Sequence, residues 1–174
     1  MADVRQPLRA FAGSAVAVVV AGAVAAVTHQ PWLFPSLGPA VMLHVEKPDA
    51  PESSPRNTVV GHAVALLAGY ASLIACGLGD HPSVLREGVS VPRIVAAAAS
   101  LAVTAAILLI LRAPHPPAGA TTLIVSLGLL HTPVQLVIAM ASVLLVTAVD
   151  WLFDRMTGRP MPVWSPEQPE RQEA

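Results

Sequence analysis

The sequence is poor in charge, in cysteine and in recognisable catalytic motifs. Only 12% of its 174 residues are charged, whereas soluble domains usually carry about 25%. A single cysteine, Cys76, excludes a disulfide framework within the chain. The net charge of −1 gives no indication of a nucleic-acid surface. The sequence has no paired-cysteine site, P-loop, HExxH or GxSxG. We therefore expect neither an enzyme nor a resident metal or cofactor.

What the sequence does contain is long apolar runs. Four stretches, at about residues 8–28, 58–78, 93–111 and 133–153, have the length of roughly 20 residues that a membrane span needs. They are rich in small residues, which let helices pack closely in a bilayer. The first stretch has a signal peptide as its alternative, but its apolar core is longer than a signal needs. The sequence predicts an all-α membrane protein with four transmembrane helices.

The distribution of lysine and arginine predicts the orientation, because short cytoplasmic loops carry an excess of these residues. With four spans, both termini lie on one side of the membrane. That side would hold Arg5, Arg9, Arg86, Arg93, Arg155, Arg159 and Arg171. The opposite side would hold Lys47, Arg56 and Arg112. This distribution favours cytoplasmic termini in a bacterial inner membrane. Residues 1–157 form the predicted membrane domain, and the Pro-, Glu- and Gln-rich residues 158–174 a disordered cytoplasmic tail.

Two apolar segments between the spans are too short to cross as helices. They read PWLFPSLGPAVMLHV (31–45) and HPPAGATTLIVSLGLL (115–130), and each becomes helix-like after a Pro/Gly break. The order span, short helix, span thus occurs twice, and such paired breaks point to a transporter's binding site. We expect re-entrant half-helices at about 36–46 and 116–130, in two similar repeats of parallel topology. The alternative is a pair of interfacial loops, with Trp32 and Phe34 in an aromatic belt.

The start of a half-helix inside a membrane favours anions, because its first N–H groups lack partners and the helix dipole is positive there. We therefore predict a small-anion site lined by Ser36, Leu37, Gly38, Asn57, His62, His115, Gly119, Ala120, Thr121 and Thr122. His115 would donate to the anion or gate its passage by titration, and its alternative role is a helix cap. We interpret His44 as solvated and Asp150 as an interfacial acid near Arg155. A carboxylate-based proton pump is therefore not expected.

Three blocks of the sequence resemble conserved blocks of the HPP family of membrane proteins. They are PWLFPSLGPAVML (31–43), PRNTVVGH (55–62) and HPPAGATTLI (115–124), and the resemblance covers roughly residues 8–153. Besides site residues, the blocks include the motif residues Pro39, Arg56, Gly61, Pro116 and Pro117. The resemblance implies four spans. Plastid relatives in the family are associated with nitrite transport, which makes nitrite the first candidate.

The sequence thus predicts a transporter or channel for a small monovalent anion, with the lipid bilayer and a small inorganic anion as its partners. The alternative is a non-transporting membrane scaffold or partner-binding subunit, whose two breaks would be filled by side chains. Because four spans make a thin bundle, we also expect a homo-oligomer, either a dimer or a trimer.

Overall fold

A computed structural model describes residues 4–159 and 161–165, and throughout these residues the regular structure is helical. The long helices are α1 (Arg5–Thr28), α3 (Pro55–Ala75), α5 (Val91–Ile110) and α7 (Pro133–Met156). The short ones are α2 (Leu37–Glu46), α4 (Val84–Glu87) and α6 (Pro117–Ser126), and a 3-10 turn covers Pro51–Ser53. The predicted all-α class is confirmed for the described residues.

The four long helices are each long and apolar enough to cross a membrane, so the four predicted spans are confirmed within a few residues. The shifts arise from local capping. Ser54 accepts the backbone N–H of Asn57, which moves the start of α3 to Pro55. Thr132 and Gln135 form a capping box that begins α7 at Pro133.

The segment from residue 29 to the end of α2 runs from one end of the bundle to the other. Its first part is not helical and passes Gly22, where Leu33 packs. Further on, Val45 packs against Gly13, near the beginning of α1. The Val45 carbonyl accepts a hydrogen bond from Arg9 at 3.1 Å. An unwound stretch followed by a ten-residue helix therefore crosses the bundle.

The segment from residue 111 to 128 crosses in the same way but in the opposite direction. His115 packs against Gly61, near the beginning of α3, and Val125 packs against Gly69, two turns further along that helix. The predicted return of each short helix to its own side is therefore wrong. Each unit, α1–α2–α3 and α5–α6–α7, crosses the bundle three times instead of two. The two units therefore run in opposite directions, and the expected parallel topology is also wrong.

Two arginines, Arg93 buried and Arg9 partly buried, occupy equivalent places in these inverted units. Arg9, on α1, donates to the carbonyl of Val45 at the end of α2. Arg93, on α5, donates to the carbonyl of Ser126 at the end of α6, at 3.3 Å. A cation at a helix C-terminus stabilises the carbonyls that lack helical partners and the negative end of the dipole. The C-terminal end of each short helix is thus neutralised by the long helix that precedes it.

Because the short segments cross, the loops change sides relative to the prediction. Arg56 donates to the carbonyls of Leu111 and Arg112, which brings those loops to the end of the bundle that holds both termini. The positive residues described at this end are Arg5, Arg9, Lys47, Arg56, Arg112, Arg155 and Arg159. Arg86 and Arg93 lie at the opposite end. Arg171 falls outside the described residues.

Part of the predicted disordered tail packs on the bundle. Met161 is buried, and the carbonyl of Trp164 accepts the backbone N–H of Arg56 at 3.1 Å. The disorder prediction is therefore wrong for residues 161–165. Residue 160 and residues 166–174 lie outside the described residues.

Candidate functional site

Both short helices begin inside the bundle rather than at its surface. Ser36, directly before α2, has its hydroxyl 2.6 Å from that of Thr121 on α6. The next residue, Thr122, donates to the carbonyl of Ala65, halfway along α3. The two helix starts therefore overlap near the middle of the bundle, and the polar side chains around them are buried among apolar helices.

Four of the predicted site residues form a continuous hydrogen-bonded row, which we call the histidine chain: Ser36, Thr121, His62 and His115. Thr121 bonds to Nδ1 of His62 at 2.7 Å, and the two Nε2 atoms of His62 and His115 are 3.2 Å apart. Nδ1 of His115 lies 2.8 Å from the backbone carbonyl of Glu52, which can only accept. Neutral rings therefore place one hydrogen on Nε2 of His62, and Thr121 then donates to Nδ1 of that ring.

A second buried polar group, the His44–Asp150 pair, lies beside the histidine chain. Nδ1 of His44 is 2.8 Å from a carboxylate oxygen of Asp150, and its Nε2 is 3.0 Å from the hydroxyl of Thr58. Both side chains of the pair are fully buried. The ring centroids of His44 and His115 are 6.4 Å apart. The interpretation of His44 as solvated and of Asp150 as an interfacial acid beside Arg155 is therefore wrong.

The acid of α7 that does bond to an arginine is Asp154, one turn after Asp150 and at the end of the bundle that holds both termini. Its carboxylate pairs with Arg9, and both groups are largely buried. Arg155 instead stacks on the ring of Trp151, 4.2 Å from the centroid. The two acids of α7 thus bond to side chains of two different helices, Asp154 to Arg9 on α1 and Asp150 to His44 on α2.

Close backbone approach at Gly61 determines where His115 lies. A Cβ at this position would come within 2.9 Å of the His115 Cβ and 3.1 Å of its ring. We expect Gly61→Ala to lower the free energy of unfolding in detergent micelles by about 1–3 kcal/mol, because added volume in a packed core forces side chains to shift.

Gly38→Ala is the matched control for this prediction, since an added Cβ at Gly38 meets nothing within 4 Å. The control is expected to leave stability unchanged or to raise it by up to about 1 kcal/mol, because alanine is the better helix former. Equal losses in both variants would contradict the role given to Gly61.

The first amides of the two short helices are not free for a ligand. Each donates to a carbonyl in the turn that precedes the helix. The pairs are Leu37 to Phe34, Gly38 to Pro35, Ala118 to His115 and Gly119 to Pro116. The expectation of unpartnered N–H groups at these starts is therefore wrong. The positive end of each helix dipole remains.

Most of the other predicted site residues make contacts within the protein, and Gly38 is exposed. Thr122 bonds to Thr104 on α5, at 2.7 Å. Asn57 donates to the carbonyl of Pro51 and accepts from Arg56, which makes it part of a turn. Leu37 belongs to the apolar core, and Gly38 is exposed.

Two open cavities flank Pro116. The larger, of about 370 Å³, is lined by apolar side chains of α5 together with Thr104, His115, Pro116 and Gly119. The smaller, of about 240 Å³, lies between α2 and α6 and is lined by Pro39, Leu43, Pro116, Pro117 and Ala120. His115 therefore connects the histidine chain to open space, and Gly119 and Ala120 leave room for it.

The short helices of the bundle begin near its middle, and the motif HPPAGATTLI lies at one of these two breaks. Models of known protein families show which family shares this sequence. The family model described as the HPP transmembrane region matches residues 1–162. The chain belongs to the HPP transmembrane family. A search of the curated proteins and a search of the solved structures each gave no significant match. The resemblance drawn from the three sequence blocks is thus confirmed, and this HPP chain is an integral membrane protein.

Sequence reasoning missed the His44–Asp150 pair in this HPP bundle. One signal was available, because an acid within a membrane span is a functional candidate by default. Its partner lies 106 residues away in the chain, and no short-range pattern connects the two.

Proposed function

We propose that this HPP protein moves a small monovalent anion across the bilayer, with nitrite as the first candidate. The observation that carries the proposal is that two short helices start inside the bundle, from opposite directions, with the histidine chain between them. Both positive dipole ends lie in the interior, while Arg9 and Arg93 neutralise the negative ends. Such a site attracts an anion without a fixed charge of its own.

His115 is the residue assigned to anion contact. It lines the larger cavity and belongs to the histidine chain. The one N–H of its neutral ring is donated to the carbonyl of Glu52, so anion contact requires that this bond be exchanged for one to the ligand while His62 and Thr121 hold the rest of the row. Thr104 and Gly119 line the same cavity and supply a hydroxyl and space. Polar groups at membrane depth are costly, and they mark substrate paths in transporters.

The test is anion uptake by the purified protein in proteoliposomes, with nitrite, nitrate, formate and chloride offered separately and protein-free vesicles as the blank. His115→Ala is expected to lower uptake about tenfold or more, because a lost hydrogen bond to a charged group costs about 1.5–3 kcal/mol. His81→Ala is the control, since His81 is exposed and pairs with Glu87 of α4, away from the histidine chain. Equal uptake by the two variants would contradict the assignment of His115.

A membrane scaffold is the second candidate function. The hydroxyls and rings of the histidine chain satisfy one another, and apolar residues dominate both cavities. The scaffold function predicts this arrangement, in which side chains fill the space at both helix breaks. Wild-type protein that carries none of the four anions, in any gradient, would reject the proposed transport and favour the scaffold.

We also propose cytoplasmic termini in a bacterial inner membrane, because the terminal end of the bundle carries most of the described lysine and arginine residues. A homodimer or homotrimer stays a prediction. So does the absence of enzyme activity.

A further inference from the structure

The His44–Asp150 pair has features that the anion site does not use. Both side chains are fully buried in the bundle, and one carboxylate oxygen, Oδ2, bonds to His44. The other oxygen, Oδ1, has no hydrogen-bond partner among the described residues. A buried carboxylate with one unpartnered oxygen is a place where a proton can bind.

We propose that the His44–Asp150 pair is a proton-binding site that couples one proton to each anion carried. This inference rests on the transport function proposed above, and it names the coupling ion of the same site. It also replaces the expectation that the chain has no deeply placed acid for proton coupling.

The charges balance in a simple way. In the proposed cycle the pair starts with one shared proton and no net charge, whichever partner carries that proton. A second proton forms an O–H bond at Oδ1 of Asp150 and leaves an imidazolium beside a carboxylic acid. The pair then carries one positive charge, which offsets the charge of one monovalent anion. The same O–H bond breaks when the proton leaves on the other side.

The pair lies next to the anion site and to a second ion pair. The titratable or charged groups around it are Arg9 on α1, His62 on α3, His115 before α6 and Asp154 on α7. Arg9 and Asp154 form an ion pair with no net charge at the cytoplasmic end. His115 lies on the opposite side, with its ring 6.4 Å from that of His44 and facing the larger cavity. A proton on the pair therefore strengthens anion binding at His115, and an anion there strengthens proton binding.

The experiment records nitrite uptake and internal pH in the same proteoliposomes, using a trapped pH-sensitive dye. Protein-free vesicles are subtracted because undissociated acid crosses bilayers unaided. For the wild type we expect an inward nitrite gradient to acidify the interior with one proton per anion. Asp150→Asn is expected to reduce this ratio to near zero, whatever its rate. Asp49→Asn, which removes an exposed acid paired with Arg159, should keep the wild-type ratio.

The outcomes separate this inference from the transport proposal. Wild-type nitrite uptake without acidification overturns the coupling and leaves transport standing. Acidification that persists in Asp150→Asn overturns the assignment of the site. Absence of any anion flux in the wild type overturns both. If Asp150→Asn carries no anion, Asp150→Glu decides: a restored ratio of one supports the site, and a ratio of zero at measurable flux rejects it.

Discussion

Replacing His44 by alanine is expected to lower the free energy of unfolding by about 3–5 kcal/mol, because breaking a buried charge pair leaves its partner uncompensated. Asp150 would lose its one described hydrogen-bond partner while staying fully buried, and the hydroxyl of Thr58 would lose its contact as well. Equilibrium unfolding in mixed micelles, followed by helical circular dichroism, measures the loss.

Two further variants separate the broken pair from the missing side chain. His81→Ala removes a histidine whose ion pair with Glu87 is exposed, and such surface pairs contribute about 0–1 kcal/mol. The double variant His44→Leu, Asp150→Leu removes both charged partners and is expected to recover most of the stability, because apolar residues often replace a buried ion pair without loss. A double variant less stable than His44→Ala would contradict this account.

Replacing Arg93 by methionine is the second large effect we expect. The Arg93 guanidinium donates to the carbonyl of Ser126, at the end of α6, and to that of Pro82, at 2.8 Å. Its loss should cost about 1–3 kcal/mol for the buried carbonyl of Ser126, which is left without this donor, and less for that of Pro82, because Pro82 is exposed to solvent. It also removes the cation from the negative end of the α6 dipole. Methionine keeps most of the volume, so cavity formation contributes little.

Arg86→Met is the matched control, since Arg86 is an exposed arginine at the same end of the bundle. It should leave the unfolding free energy within about 0.5 kcal/mol of wild type. Arg9→Met, at the equivalent place in the inverted unit, is expected to cost at least as much as Arg93→Met, because it also leaves Asp154 without its ion pair. A negligible effect of both Arg93→Met and Arg9→Met would contradict the role of the two arginines as caps of the short helices.

The membrane spans and the two short helices could be predicted because their signals are local. About twenty apolar residues in a row favour a membrane span, and a proline at the first turn favours the start of a helix. Neither effect depends on where the rest of the chain lies. His115, Ser36 and Thr121 could also be chosen, because polar residues beside a Pro/Gly break are few, and His62 because it lies near the start of a span in a block that resembles the HPP family. Their direct contact with one another, rather than with a ligand, was not predictable from spacing.

The crossing of the short segments could not be predicted for a geometric reason. A helix of ten residues is about 15 Å long, half of what a bilayer core requires. Residues 29–36, which lie outside any helix, cover the rest of the distance. Such backbone survives at membrane depth where protein groups satisfy it, and here the hydroxyl of Ser142 donates to the carbonyl of Trp32 across 110 positions of the chain.

By itself, then, the sequence determined an all-helical HPP membrane protein, four long spans, and two breaks with histidine and hydroxyl residues beside them. These properties follow from hydropathy and local capping, which act over one helix at a time. The tertiary structure alone decided that the two units are inverted and that Arg9 and Arg93 end the short helices. It also decided that His44 meets Asp150 inside the bundle. Those contacts join residues more than thirty positions apart. Which of these distant polar groups are buried in contact with one another is determined by how the helices pack.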